Sequence, residues 1–595
     1  MANEEVYQYT PINAETIRLF TIVTTATSIS CQVHHHAVND VPSYCALSYV
    51  WGDEEASECV KCDGRTIRIS QNLCLGLQML HKQVGSQLLW VDAICINQSN
   101  DQEKAAQVPL MSQIYALAQK VYIWLGPVSD NSDLAMSCLA SLNETFSVVD
   151  NLEAVDRSSL ASYDLPTFDD PIWPAITRLY FRKWFTRLWV MQEVLLAKDI
   201  YVLCGEQAVT WQQMVKFANN YRITRMVDDV LQHHKIPYNN PELPDHGFSA
   251  VPILDILRDM IEDGRIINCM SLLEMARRKL SKEPVDRVYG VLAILPSEMR
   301  NKIRVDYSPT NREQYWHTFI QLFTALIESE GPRALSMVPS RGRCLELPSW
   351  CPDFQFENSM NSLGKHYAAG VMPSHSDKAG PSSIKIGPGP GSLQMRGVLM
   401  DGVKSTFPLA WKYIDAAQYD PRSAAKVVEC EEACLRLSRQ IYGAQEEVPV
   451  QHVTTLVAGM TVTRSHYSMD QIRADYKLAT QRFRDFCKQP SDQQGTQSNA
   501  NQIAFDRYKS AMKITWRHTN FFTTTNGTIG VGLETIEPGD DICIVSAAHT
   551  PFIFRKNVGC ETYAFHGEAY VHGLMDGQAF AAKDPVSNVQ DFIVQ

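Results

Sequence analysis

Tyr44-Cys45-Ala46-Leu47-Ser48-Tyr49-Val50-Trp51-Gly52-Asp53 opens the stretch that decides the fold. Leu88-Leu89-Trp90-Val91-Asp92-Ala93-Ile94-Cys95-Ile96-Asn97-Gln98 continues it, and Val121-Tyr122-Ile123-Trp124-Leu125-Gly126 closes it. Each piece is a short apolar run ending in small or polar residues, and a helix-like stretch separates the last two. Apolar strand, helix and apolar strand in succession are the sequence pattern of a buried parallel sheet. Such a sheet gathers functional groups at the carboxyl ends of its strands. Ser48, Asp53, Asp92 and Asn97 fall at or just after those ends.

Three boxes in this region carry a family resemblance: Ala46–Gly52 (Ala-Leu-Ser-Tyr-x-Trp-Gly), Trp90–Gln98 (Trp-x-Asp-Ala-x-Cys-Ile-Asn-Gln) and Arg187–Glu193 (Arg-x-Trp-x-x-Gln-Glu). With them the chain resembles the fungal heterokaryon incompatibility (HET) domain. HET domains are likened to the TIR fold, a doubly wound α/β domain. The resemblance implies such a sheet in residues 1–205, a mostly helical middle over 206–395, and a region 396–595 of helices, polar linker and a small β-rich module.

The bulk properties narrow the class. At 595 residues the chain calls for two to four domains. Hydrophobic content of 45% with 20% charged residues suits a folded protein, and the net charge of -12 speaks against a general nucleic-acid binder. The acidic start Met1-Ala2-Asn3-Glu4-Glu5 does not read as a signal peptide, no run of eighteen apolar residues predicts a membrane span, and the carboxyl end has no prenylation box. The 16 cysteines are dispersed, which suits reduced thiols in the cytoplasm. Cys59-Val60-Lys61-Cys62 has metal-ligand spacing but no second pair, and Asp63-Gly64 behind it reads as a hairpin turn. No metal is expected.

Along the chain, residues 7–33 read as two short strands around a turn, and His34-His35-His36 as a solvated loop. Val60–Ile69 reads as a hairpin. Ser70 or Asn72 caps a helix to Lys82 with Leu73, Leu77 and Leu80 on one face. Ser99 with Gln102, or Asn100 with Glu103, forms a second cap, and Pro109 starts or kinks the helix that follows. Asp130–Thr145 reads as a helix, 146–172 as a surface insertion, and Ile200–Cys204 as a strand. Residues 206–335 read as helices, Ser374–Gly391 as a loop and Gly397–Thr406 as a strand. Residues 410–490 read as helical and 489–501 as a mobile linker. Phe521–Val531, Asp541–Ala547 and Phe552–Phe554 are further strands.

Glu193 is the sharpest chemical candidate. Some TIR domains cleave NAD with a glutamate in a Trp-Cys-x-x-Glu box, and Trp189-Val190-Met191-Gln192-Glu193 keeps that spacing with Val190 in place of the cysteine. The resemblance implies Glu193, Asp92 and Ser48 as catalytic groups, and Trp51, Asp53, Arg182, Arg187 and Trp189 as ligand-binding groups. Cleaving a ribosyl bond builds positive charge on the sugar, which a carboxylate stabilises; Arg182, Lys183 and Arg187 suit pyrophosphate, and Trp51 or Trp184 a flat base. NAD is then a substrate, and no cofactor is required. The bland alternative makes Glu193 an ion-pair partner and both Trp184 and Trp189 core. His566, Glu568, Tyr570 and His572 alternate onto one strand face, either an acid–base group or an exposed polar sheet face.

Three functions fit this sequence: an effector of nonself recognition with NAD glycosidase-like chemistry, a HET-like cyclase or Diels-Alderase of secondary-metabolite biosynthesis, and a non-catalytic interaction protein. Their partners are a small-molecule substrate or another protein, with oligomerisation open and neither nucleic acid nor membrane involved.

Overall fold

The computed structural model describes residues 5–24, 29–52, 56–224, 226–236, 246–338, 344–356, 363, 367–369, 383–387, 389, 391–443, 448–461, 468–488, 499–578 and 589–595. Asp53 with the acidic loop 53–55, most of 374–391 and the linker 489–498 lie outside them. The chain divides into two compact units, Met1–Tyr315 and Trp316–Gln595.

The first unit is built on a nine-stranded mixed sheet. Its strands are β1 (Thr16–Thr24), β2 (Ser30–Ala37), β3 (Tyr44–Tyr49), β4 (Glu58–Cys62), β5 (Arg65–Ile69), β6 (Leu88–Trp90), β7 (Lys120–Trp124), β8 (Ile200–Cys204) and β9 (Gln207–Thr210), in the order β5-β4-β2-β1-β6-β3-β7-β8-β9. The centre β6-β3-β7-β8 is parallel. It comes from the continuous apolar runs, and β3 is buried along its whole length. Antiparallel pairs β1–β2, β4–β5 and β8–β9 extend it on both sides. The chain leaves β3 for β6 on one side and leaves β7 for β8 on the other, so the winding reverses between β3 and β7.

Local chemistry sets the connections. Ser70 caps α1 (Gln71–Val84) by accepting the Leu73 N–H, and Leu73, Leu77 and Leu80 are buried. A Cβ on Gly76 of α1 would lie 2.9 Å from the Trp124 ring, which explains how closely this helix approaches β7. Asp92 does not extend β6 but opens the single turn α2 (Asp92–Cys95). Asn100 caps α3 (Asp101–Gln107). Pro109 sits in a 3-10 turn, Val108–Leu110, that separates α3 from α4 (Met111–Leu117). Then follow α5 (Ser132–Ser147), α6 (Ile172–Tyr180), α7 (Val190–Leu195) and α8 (Trp211–Ile223).

Three expectations change here. His34–His36 lie on β2, paired with Leu19–Ile17 of β1, not in a loop; backbone pairing tolerates the polar side chains of that strand. Position 205 is not a boundary of the compact unit, because β9 turns back on β8 and the sheet continues past it. The insertion 146–172 buries Leu160, Leu165 and Phe168. The Cys59–Cys62 segment is the expected hairpin, with Asp63 and Gly64 both at positive φ, as a tight two-residue turn requires. All 16 cysteines are free. Among the described residues no cluster of three His, Cys, Asp or Glu is placed to hold a metal, and no helix is long and apolar enough to cross a membrane.

The second unit holds a closed barrel. Its strands are β10 (Ile384–Ile386), β11 (Leu393–Pro408), β12 (Thr519–Thr524), β13 (Ile529–Leu533), β14 (Asp541–Val545), β15 (Phe552–Lys556), β16 (Thr562–Val571) and β17 (Val589–Val594). The ring runs β11-β12-β13-β16-β15-β14 and closes through β11–β14; β10 and β17 add to β11. Strand alternation gives two cores. Phe522, Ile542, Ile553, Ala569 and Val571 form one, and Phe521, Val531 and Tyr570 join the other, shared with the helices Pro421–Tyr442, Val450–Thr455, Met469–Phe486 and Asn499–Trp516. The face of β16 read as exposed and polar is therefore covered. Tyr570 is buried, and Glu568 accepts the Ser336 and Thr550 hydroxyls at 2.8 and 3.1 Å and the Leu363 N–H at 2.8 Å. These bonds make Glu568 a clasp between segments of this unit.

Candidate functional site

The three boxes meet in the first unit. Ser48 is the penultimate residue of β3, Asp92 follows β6, and Glu193 lies on α7 between β7 and β8. Trp184 Nε1 donates to Ser48 Oγ at 2.7 Å, and the Ser48 hydroxyl donates to Glu193 Oε2. Arg187 Nη1 and Nη2 reach the two Glu193 oxygens, each at 3.2 Å. Ser48 and Glu193 are 1% and 2% exposed, so this pair is enclosed.

Asp92 is half-buried beside the same guanidinium. Its Oδ2 accepts the Trp51 indole N–H at 2.8 Å and its Oδ1 the Ala93 N–H at 2.7 Å. Burial pushes its carboxyl up to about 6 and Glu193 adds to the rise, while Arg187 and the Trp51 bond pull the other way. Burial draws Arg187 down, but Glu193 and Asp92 outweigh it and hold the guanidinium above its ordinary value. The phenols of Tyr49 and Tyr115 are driven up by burial and by the same two carboxylates. One cation thus serves two carboxylates, and Trp51, 39% exposed, stands at the solvent edge.

A carboxyl that titrates near 6 when folded keeps a proton that the unfolded chain, titrating near 4, has released. Stability from Asp92 therefore falls as pH rises from about 4 to about 6 and stays lower above that. The fall is about 2 kcal/mol after allowance for partial exposure. We expect Asp92→Asn to remove this slope, so that urea unfolding at pH 4.5 and pH 7 differs less in the variant than in the wild type.

Two residues from the predicted ligand set bond to the scaffold in this structure. Arg182 Nη1 donates to the Leu125 and Pro127 carbonyls at 3.0 and 2.9 Å, and Nη2 to the Ser129 and Ser132 hydroxyls at 2.9 and 3.0 Å, so its guanidinium shapes the loop after β7. Trp189 bonds Asp286, whose carboxyl burial raises to about 6, and Tyr307 donates to the same group at 2.7 Å. Gln192 reaches the Tyr289 carbonyl at 2.9 Å, and Leu188 N–H bonds Leu280 at 2.8 Å. The segment 279–292 braces the third box from behind.

Sequence reasoning passed over Tyr49 and Tyr115. Tyr115 reads as one more apolar position on a helical face, and only its phenol hints at the polar cluster it joins. Trp184 is core by burial, yet its indole N–H holds Ser48.

A cleft of about 480 Å³ opens beside this cluster's strand ends, lined by Val50 after β3, Leu125–Pro127 after β7, and Arg178, Arg182 and Lys183.

Residues 44–193 match the family "Heterokaryon incompatibility protein (HET)", the span that contains Ser48, Asp92, Arg187 and Glu193. The first unit thus carries a segment similar to a HET domain. Residues 460–588 match the "Het-6 beta-barrel domain", in agreement with the closed barrel of the second unit. The chain is 25% identical to heterokaryon incompatibility protein 6, OR allele, of Neurospora crassa over 655 aligned positions, covering 92% of this chain and 91% of that protein. It is also 25% identical over 195 residues to vegetative incompatibility protein HET-E-1 of Podospora anserina, covering 32% of this chain and 11% of that one. No solved structure matches it.

Proposed function

We propose that this chain acts in fungal nonself recognition as a cytoplasmic incompatibility protein, and that its HET domain cleaves a nucleotide such as NAD. The names of its two relatives support the first half. The second half rests on one observation: Ser48 of the first box bonds Glu193, Glu193 pairs with Arg187 in the third, and Asp92 of the second lies near enough to feel both charges. Here two carboxylates face one guanidinium, which leaves negative charge for a cationic transition state.

In this reading the ribosyl C–N bond breaks, its electron pair stays on the departing nicotinamide nitrogen, and water adds to the sugar carbon and releases a proton. Glu193 faces the transient sugar cation, Asp92 accepts the proton from water, and Ser48 orients Glu193. Reversed winding between β3 and β7, as in a TIR-like doubly wound sheet, supports the same placement.

A second reading has a specific observation behind it. Both Glu193 oxygens already accept bonds, which suits a non-catalytic scaffold that binds a partner protein. The cyclase alternative asks for an enclosed apolar pocket, and the cleft is open and mixes Val50, Leu125, Phe181 and Ile236 with Arg178, Arg182, Lys183 and Asp130. Incubating the full chain with NAD decides between the two. Nicotinamide release that drops roughly hundredfold or more in Glu193→Gln and in Asp92→Asn supports cleavage. Release that is absent from the wild type, or that stays at the wild-type level in both variants, rejects it.

A further inference from the structure

The cleft at the reversal between β3 and β7 has a charge opposite to that of the chain. Among the described residues that line it, Arg178, Arg182 and Lys183 stand against one carboxylate, Asp130, in a protein of net charge -12. In open α/β sheets the crevice at such a reversal, outside the carboxyl ends of the strands, is where ligands bind. Its volume of about 480 Å³ falls within the range of small-molecule sites.

The floor is shaped for close approach. Gly126, at φ 111°, follows β7, and a Cβ there would stand 3.0 Å from Arg182 Nη1. Arg182 turns the carbonyls of Leu125 and Pro127 into hydrogen-bond partners of a cation, so these acceptors do not repel an incoming anion. It donates here to carbonyls and hydroxyls, all neutral, so these bonds do not cancel its positive charge. Arg178 on α6 and Lys183 are exposed at the rim.

We propose that this crevice binds a phosphorylated small molecule, with Arg178 and Lys183 on the phosphate oxygens and the loop 126–129, braced by Arg182, beneath them. Arg182 is a positioning residue; Arg178 and Lys183 set the affinity. The inference deepens the nucleotide reading and rests on it for a base beyond the phosphates, but the anion site itself needs neither Glu193 nor cleavage.

Calorimetric titration of the full chain with ADP, pyrophosphate and adenosine tests it. The wild type is expected to bind ADP and pyrophosphate, more weakly as salt rises, and adenosine far less well. Arg178→Ser with Lys183→Ser removes two charge-assisted contacts on exposed side chains and is expected to weaken ADP roughly hundredfold. Asp130→Asn is expected to tighten it, a gain that misfolding cannot produce. Failure of the wild type to bind ADP or pyrophosphate, equal affinity for adenosine and ADP, or unchanged binding in the double variant overturns the proposal. Binding intact with no nicotinamide release rejects cleavage alone.

Discussion

Arg187→Met is expected to destabilise the first unit by about 3–5 kcal/mol at pH 7.5, the cost of leaving a buried charge without its partner. Arg187 makes two bonds to Glu193, which is 2% exposed, and also lowers the Asp92 carboxyl. Methionine fills similar space and supplies no charge, so two carboxylates face each other in a low dielectric. The pH dependence follows from the sign of the Asp92 shift. Without Arg187 the folded Asp92 carboxyl rises further above about 6, and the native state then holds its proton to higher pH. The deficit against the wild type is therefore smallest near pH 4 and grows as pH rises through 6. Arg187→Met combined with Glu193→Gln is expected to recover part of the loss, because the pair is coupled. Equal stability of Arg187→Met and the wild type at pH 7.5 would show that the guanidinium offsets nothing in the folded state.

The legible parts of this chain are those where one short segment contains its own reason. The strands β3, β6 and β7 are continuous apolar runs, and both helix caps, Ser70 and Asn100, stand next to what they cap. The Asp63-Gly64 turn is likewise local. What sequence does not reveal is set by distant partners. His34–His36 look like a loop because their strand is held by backbone bonds to β1, to which side-chain polarity gives no clue. The barrel closes only when β11 meets β14, some 140 residues away in the chain by their numbering. The polar cluster was legible through the family resemblance of its boxes, but the roles of Arg182 and Trp189 were not. A basic residue and an indole read as ligand groups until their partners, the loop after β7 and Asp286, are seen.

The same contrast governs Arg18, which reads as an unremarkable position in a weakly alternating strand and is fully buried. Its Nη1 and Nη2 meet the two Glu103 oxygens at 2.5 and 3.0 Å, and the same nitrogens donate to the Cys95 and Thr10 carbonyls at 2.9 and 2.7 Å. Glu103 also accepts the Asn97 N–H at 2.7 Å, and the guanidinium lies 4.8 Å from the centre of the Tyr9 ring. The Cys-Ile-Asn segment of the second box thus hands its backbone to a buried ion pair, which holds α2, and with it Asp92, in place. Arg18→Met should cost about 3–5 kcal/mol, since it strands the Glu103 carboxylate and two carbonyls. Arg18→Lys should cost nearly as much, because a point charge cannot span both oxygens and both carbonyls. Replacing the pair by Arg18→Met with Glu103→Leu removes the stranded charge but leaves the Cys95 and Thr10 carbonyls and the Asn97 N–H unmet, so recovery should be partial. In thermal unfolding of the full chain, the transition of the first unit should fall by roughly 10 °C in either single variant and by less in the pair. A single variant that melts with the wild type would mean that water replaces the guanidinium at this position, and the second box would then need another anchor.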